Sequence, residues 1–445
     1  MTFPKSRAVS TLTSFVAAMV LFLPLGAAAQ TQNSTDPGAL AVTPNVFRFA
    51  KPFDDRSARM TTDAAGDFYI AASFDDLVHP NAFGVLKYRV DGKLLGAFHF
   101  KKAFAAFAND VKVDANGNIY AGGTGAQGGL IVSFDQSGKT RWSRVLGDVI
   151  TTMALDQSGN VYAGGTINQT SMLVAKFAAD GSLLWQTSHH GTTATPCGFG
   201  ALTPGSCVTD MKLDDNGNVI AFGFSTNAGP NTDNTTLKIN PQGKLLWARN
   251  FTQQPQFNKV PAAGVVDHDN GIYATGQGVD PFTGQRFPYT LKYDTNGKLI
   301  FALTGAGNGG VAVAVDPAGK ILLSGFTFFQ GNPVSTASKL DPSGKQIWAI
   351  QIPGSGQIVS DAKGNVFASA SGYEVTKLNP AGTILWTFQE SSQFTEFTTT
   401  GSVVDPSGNL IVTGTGFDFN VGQNDIITLK FPRNSKPQSG RLSAR

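Results

Sequence analysis

One phrase, D-x-x-G-N-hydrophobic-aromatic, recurs with variations eight times along this 445-residue chain and limits what it can build. The copies begin at Asp63 (DAAGDFY), Asp114 (DANGNIY), Asp156 (DQSGNVY), Asp214 (DDNGNVI), Asp267 (DHDNGIY), Asp316 (DPAGKIL), Asp361 (DAKGNVF) and Asp405 (DPSGNLI). Their spacings are 51, 42, 58, 53, 49, 45 and 44 residues. Nine positions after each Asp stands a tiny residue: Ala72, Gly123, Gly165, Gly223, Gly276, Gly325, Ala370 or Gly414. A second phrase, K-x-D/N-x-x-G-K-x-x-W, follows in most units, as in KINPQGKLLW (238–247), KLDPSGKQIW (339–348) and KLNPAGTILW (377–386). All five tryptophans, Trp142, Trp185, Trp247, Trp348 and Trp386, occupy its last slot. Phe301 fills that slot in the fifth unit and Gly96 in the first.

Each phrase reads as a hairpin. The Asp or Asn opens the turn by bonding nearby backbone, and Gly supplies the positive φ that closes it. The flanks alternate apolar and polar residues, as in VKVD and LLWAR, so one face of each strand turns inward. Two hairpins per unit give a four-stranded antiparallel sheet of about 45 residues, the period and content of a propeller blade. The expected fold is therefore all-β, a single eight-bladed β-propeller. In it the tiny residue would let neighbouring sheets approach, and the Trp slot would supply an apolar wedge between blades. The last unit ends after its third strand, Ile426 to Phe431, and an orphan strand, Val46 to Ala50, precedes the first hairpin. Pairing the two completes the last blade and removes a sheet edge.

These residues resemble the SBBP-type β-propeller repeat of exported bacterial proteins, whose pattern is D-x-x-G-N-x-Y-x-x-G followed by K-x-x-x-x-G-x-x-x-W. The stretches DQSGNVYAGGT…KFAADGSLLW (156–185) and DANGNIYAGGT (114–124) carry the likeness, which covers residues 60–431. It implies the propeller fold and an exported location, and assigns no activity. The G-K-x-x-W stretch is also similar to Trp-docking propellers, which include quinone-dependent alcohol dehydrogenases and outer-membrane assembly scaffolds. Those dehydrogenases place a vicinal Cys-Cys pair beside the quinone. Here Cys197 and Cys207 stand ten positions apart, and no cofactor is expected.

The first 29 residues have the form of a signal peptide: Lys5 and Arg7, an apolar core from Phe15 to Leu25, and Ala27-Ala28-Ala29 before Gln30. The core contains Pro24 and falls short of the roughly 18 apolar residues a membrane span needs. No later segment would span a bilayer. The expected domains are a signal peptide (1–29), a flexible segment (30–44), the propeller (45–431) and a disordered basic tail (432–445). Removing the leader leaves 32 Lys and Arg against 31 Asp and Glu, without the basic footprint of a nucleic-acid binder. Secreted or periplasmic, the mature chain is expected to be a monomer. In an oxidising compartment Cys197 and Cys207 are expected to form a disulfide, worth about 2–3 kcal/mol for so short a loop.

The stereotyped turns share one face, so the connections of variable length share the other, where function on rigid scaffolds usually sits. Candidate ligand-face residues there are Asp75, His79, His189, His190, Asp233, Asp280, Phe282 and Tyr289. A metal site would need three or four of the His and Asp to converge, and none is expected. The Asp-rich turns read as turn chemistry rather than calcium loops. Two acids roughly 5–10 Å apart would suit glycoside hydrolysis, with Asp75, Asp233 and Asp280 available. Clustered aromatics, Phe282, Phe287 and Tyr289, would instead mark a patch for a protein or glycan. The preferred reading is a non-catalytic binding or scaffolding propeller with no catalytic residue. The alternative is an exported enzyme acting on polysaccharide.

Overall fold

The computed structural model describes residues 42–51, 54–74, 82–101, 106–191, 206–226, 232–252, 258–280, 282–305, 309–329, 332–389 and 394–435. They hold thirty-two strands, β1–β32 in chain order, in eight four-stranded antiparallel sheets. Seven sheets are sequential: β2–β5 (56–99), β6–β9 (107–145), β10–β13 (149–190), β14–β17 (207–251), β18–β21 (258–304), β22–β25 (310–351) and β26–β29 (357–389). The eighth has the order β1-β32-β31-β30, where β1 is Asn45–Phe49, β30 Phe394–Val404, β31 Leu410–Asp418 and β32 Gln423–Phe431. The first strands of successive blades touch one another and the ring closes between β30 and β2 (Arg56–Thr62), which places these strands innermost. The eight-bladed propeller read from the repeat is the fold.

The turn phrase works as a hydrogen-bond programme. In the second blade Asp114 Oδ1 accepts the Asn116 and Asn118 amides, both at 2.9 Å. Its Oδ2 accepts the Asn118 side-chain amide (2.8 Å) and the Tyr120 hydroxyl (3.0 Å). Asp156 repeats the set with Ser158, Asn160 and Tyr162. The carboxylates are thus engaged by donors of their own turn, which is why the phrase needs Asp first, Asn fifth and Tyr seventh.

The second phrase joins blades. Trp247 Nε1 and Lys238 Nζ both donate to the Thr295 carbonyl in the outer turn of the next blade, at 3.2 and 3.1 Å. Trp348 and Lys339 do the same to Pro380, while Lys339 also pairs with Asp316 of its own blade at 2.6 Å. Trp142 reaches Ala179 and Trp185 reaches Pro241. Each ring lies over the glycine of the turn it docks on. Gly243 has φ +86, and a Cβ there would stand 2.7 Å from the Trp185 indole. Gly243→Ala is therefore expected to destabilise by roughly 2–4 kcal/mol through combined strain and overpacking. A lowered denaturation midpoint with red-shifted tryptophan emission would show it, and an unchanged midpoint would contradict it.

The tiny ninth residue has a reason beside the one expected. A Cβ on Gly123 would meet the Phe107 carbonyl oxygen at 1.8 Å, and one on Gly165 the Val149 carbonyl oxygen at 1.9 Å. Both oxygens belong to the inner strand of the same blade, beside an irregularity in its pairing. The tightest crowding is within a blade, and at Gly223 the preceding blade adds Met172 Cε at 2.7 Å. Between blades lie the hydrophobic clusters: Tyr162, Met172 and Val174 pack on Val208, Met211 and Val219 of the following sheet.

Closure uses the N-terminal strand. β1 pairs antiparallel with β32 from Asn45↔Lys430 to Phe49↔Ile426. Arg48 Nε donates to Asp425 Oδ2 at 2.7 Å and Nη2 to Asp418 at 2.5 Å. Phe47 lies over Gly92 of the first blade, as tryptophan does elsewhere. The segments flanking 45–431 are also partly engaged. Val42 is buried against the seventh and eighth blades, and the Arg433 amide donates to Asn409 Oδ1 at 2.9 Å.

Candidate functional site

On the loop face two second-to-third-strand connections carry exposed aromatics on matching turns. At the end of β19 (Ile272–Val279), Asp280 Oδ1 accepts the amides of Phe282 (2.8 Å) and Thr283 (3.2 Å), and Gly284 N returns to the Asp280 carbonyl at 2.9 Å. These bonds, the Phe282 amide first, hold the Asp280 carboxyl below the usual carboxylate range. Phe282 is left 94% exposed. In the eighth blade Asp418 Oδ1 accepts the Asn420 amide at 2.8 Å, Gly422 N returns to Asp418 O at 2.8 Å, and Phe419 is 62% exposed. Asp280 and Phe282 are thus brought together, the acid as the fixture of the ring. Phe419 was missed although Phe417 stands two places before it and packs on its ring at 5.0 Å, a signal of the kind that marked 282–289.

The other candidates disperse. Asp75, His79 and Cys197 lie outside the described residues. Asp233 and Tyr289 are not loop residues: they sit within β16 (Thr232–Ile239) and β20 (Arg286–Tyr293) and are fully buried. The run T-D-N-T-T reads as a polar loop, yet every residue of it lies buried within the strand. Ser225 Oγ and Thr235 Oγ1 stand 2.6 Å apart, and Asn234 Nδ2 donates to the Tyr289 hydroxyl at 3.1 Å. Burial drives the Tyr289 hydroxyl far above its ordinary value. His189 and His190 end β13 (Leu183–His190) as consecutive residues, so they project to opposite sides of the strand. Burial, then the His190 charge, lowers the His189 imidazole. Among the described residues no group of three or more His, Cys, Asp or Glu converges as a metal site. Cys207, expected to pair with Cys197, is buried at the start of β14 (Cys207–Leu213) and accepts from Thr166 Oγ1 at 3.1 Å.

A second constellation lies where the inner strands meet, and sequence reasoning missed it. Arg59 of β2 reaches across the axis: Nη1 donates to Thr152 Oγ1 at 2.9 Å and Nη2 to the Thr209 carbonyl at 2.8 Å. Its guanidinium is 3.7 Å from Asp110 in β6 (Phe107–Val113) and 3.5 Å from Asp210 in β14. Lys112 and Lys212 pair with Asp110 and Asp210 at 2.6 and 2.7 Å. Each carboxylate also binds the next blade, Asp110 Oδ2 through the Met153 amide (2.8 Å) and Asp210 Oδ2 through the Gly264 amide (3.1 Å). Burial would raise the Asp210 carboxyl, but Lys212, Arg59 and the Gly264 amide outweigh it and hold it at about 2. The available signal was D-V-K-V-D (110–114) and D-M-K-L-D (210–214), an acid-base pair four and two places before the turn Asp in just these two units.

The family described as outer membrane protein assembly factor BamB matches residues 84–286 and 296–430. No curated protein matches the chain. Among solved structures, the Dos1 propeller aligns over 90% of this chain and 99% of its own, at 10% identity and a TM-score of 0.58. The C-terminal WD40 domain of Sif2 aligns over 87% and 99%, at 8% identity and 0.53. At such identities the likeness is one of fold. Among the described residues no helix is long and apolar enough to cross a membrane.

Proposed function

The chain belongs to the family of the outer membrane protein assembly factor BamB, and on that premise we propose that it is an exported, non-catalytic propeller that binds a protein partner on its loop face. The observation that carries this is Phe282, 94% exposed on a turn fixed by Asp280. An aromatic ring held outward by a rigid scaffold loses little conformational freedom on docking, which is the property of interface anchors. Phe419 offers a second ring of the same kind on the same face. Residues 1–29 are removed on export, the mature propeller is a monomer in the periplasm or outside the cell, and Cys197 joins Cys207. The repeat phrases support the finer SBBP-type assignment within this fold.

The test is a photo-crosslinking amino acid placed at position 282, at 419, or at the exposed turn-face position Lys345 in the exporting cell. Protein adducts are expected from 282 and 419 and not from 345. Adducts formed equally at 345, or carbohydrate adducts alone at 282, would overturn the proposal. Phe282→Ala is expected to change stability by less than about 0.5 kcal/mol, since the ring touches nothing that holds the fold.

A further inference from the structure

The axial cluster is over-supplied with positive charge. Three cations, Arg59, Lys112 and Lys212, meet two carboxylates, and each carboxylate is already shared with a backbone amide of the next blade. At the same two strand positions the fifth, sixth and eighth blades present Ala263, Val265, Ala312, Ala314 and Val403, none of which supplies an acid. The cationic side chains are not sealed: Arg59, Lys112 and Lys212 keep 37, 29 and 40% of their side-chain surface accessible. Burial draws the Lys112 ammonium below the ordinary lysine range, with Asp110 opposing and Arg59 and Lys212 adding to the effect. A second nearby anion would relieve that cost.

We infer that the axial cluster of Arg59, Lys112 and Lys212 binds a small oxyanion, a carboxylate or phosphate group, which completes the charge balance of the inner ring. Hydrogen-bond donors on three different blades meet there, and the same two strand positions of the fifth and sixth blades carry only Ala and Val. Arg59 offers a planar donor fork and the two lysines mobile point charges, the combination that suits oxygen anions of more than one shape. This site is separate from the partner surface and stands whether or not a protein docks on the loop face.

Calorimetric titration of the mature protein with inorganic phosphate, and separately with acetate, in chloride-free buffer tests it and tells the two chemistries apart. Saturable binding of at least one anion at a single site is expected. Lys112→Met should weaken it by about tenfold or more, as loss of a unit charge at close range predicts, and Lys345→Met should leave it unchanged. Asp110→Asn removes an acid at constant shape and should tighten binding several-fold. Structural damage would weaken both axial variants, so the opposite signs separate electrostatics from misfolding, and Asp110→Asn decides alone if Lys112→Met does not fold. Absence of saturation with both anions, equal weakening by Lys345→Met, or no tightening in Asp110→Asn would overturn the inference.

Discussion

Deletion of residues 45–51 is expected to leave a chain that does not form a stable monomeric propeller. β1 supplies the fourth strand of the eighth blade, and without it β32 presents an open edge to other chains. Phe49 is 5% exposed and packs on Phe74 at 5.5 Å, so its loss alone costs about 3–5 kcal/mol. Arg48 neutralises Asp418 and Asp425, both buried, and although its own side chain is 40% exposed, which keeps the cost below that of a fully buried pair, its loss adds to the penalty. Together these reach the lower end of the whole stability of a typical domain, about 5–15 kcal/mol. Thermal unfolding followed by circular dichroism and size-exclusion chromatography checks it: the expected product lacks a cooperative transition or elutes as aggregate. A deletion variant that melts like the intact chain would show that closure does not depend on β1. A synthetic peptide spanning 42–51 should restore a cooperative transition, because it returns the ladder, Phe49 and Arg48 together.

The blade count and the closing strand were legible because each unit repeats a local hydrogen-bond programme, and local programmes leave a mark at fixed spacing. Asp114 needs Asn118 and Tyr120 four and six places on, so the phrase survives in one sequence. Trp247 needs a carbonyl in the next blade, and all five tryptophans hold that slot. Substitution across positions was harder to see. The first blade has Gly96 in the Trp slot, and Phe98, two residues on, covers Gly138 in its place, as Phe47 covers Gly92. The site was less legible for two physical reasons. Polarity is a poor guide to exposure where a polar run continues a buried strand, which is how Asp233 and Tyr289 came to be placed in loops. Convergence around an axis also has no fixed spacing: Arg59 and Asp210 touch from 151 positions apart, and nothing local to either residue announces the other. Adjacent residues, conversely, need not meet, as His189 and His190 show on opposite sides of one strand.

Asp210→Ala should be the most costly single substitution on the axis. It would leave Lys212 and Arg59 short of a counter-charge and the Gly264 amide without its acceptor, in a place where the carboxylate is 7% exposed. Because Lys212 and Arg59 keep 40 and 37% of their side-chain surface accessible, the cost falls below the about 3–5 kcal/mol of a fully buried pair, and Asp210→Asn, which keeps the acceptor oxygen, should cost less still. The pH dependence identifies the charge as the source. The folded carboxyl, at about 2, lies below the value of about 3.9 that an unfolded Asp takes. Its stabilisation is therefore fully present above about pH 4 and is lost as pH falls through the folded value, a change of about 2–3 kcal/mol. Denaturant midpoints of the wild type and Asp210→Asn measured from pH 7 downward should converge between about pH 4 and pH 2. A gap that stays constant over that range would mean that the variant loses packing rather than charge, and that the inner ring is held by its backbone alone.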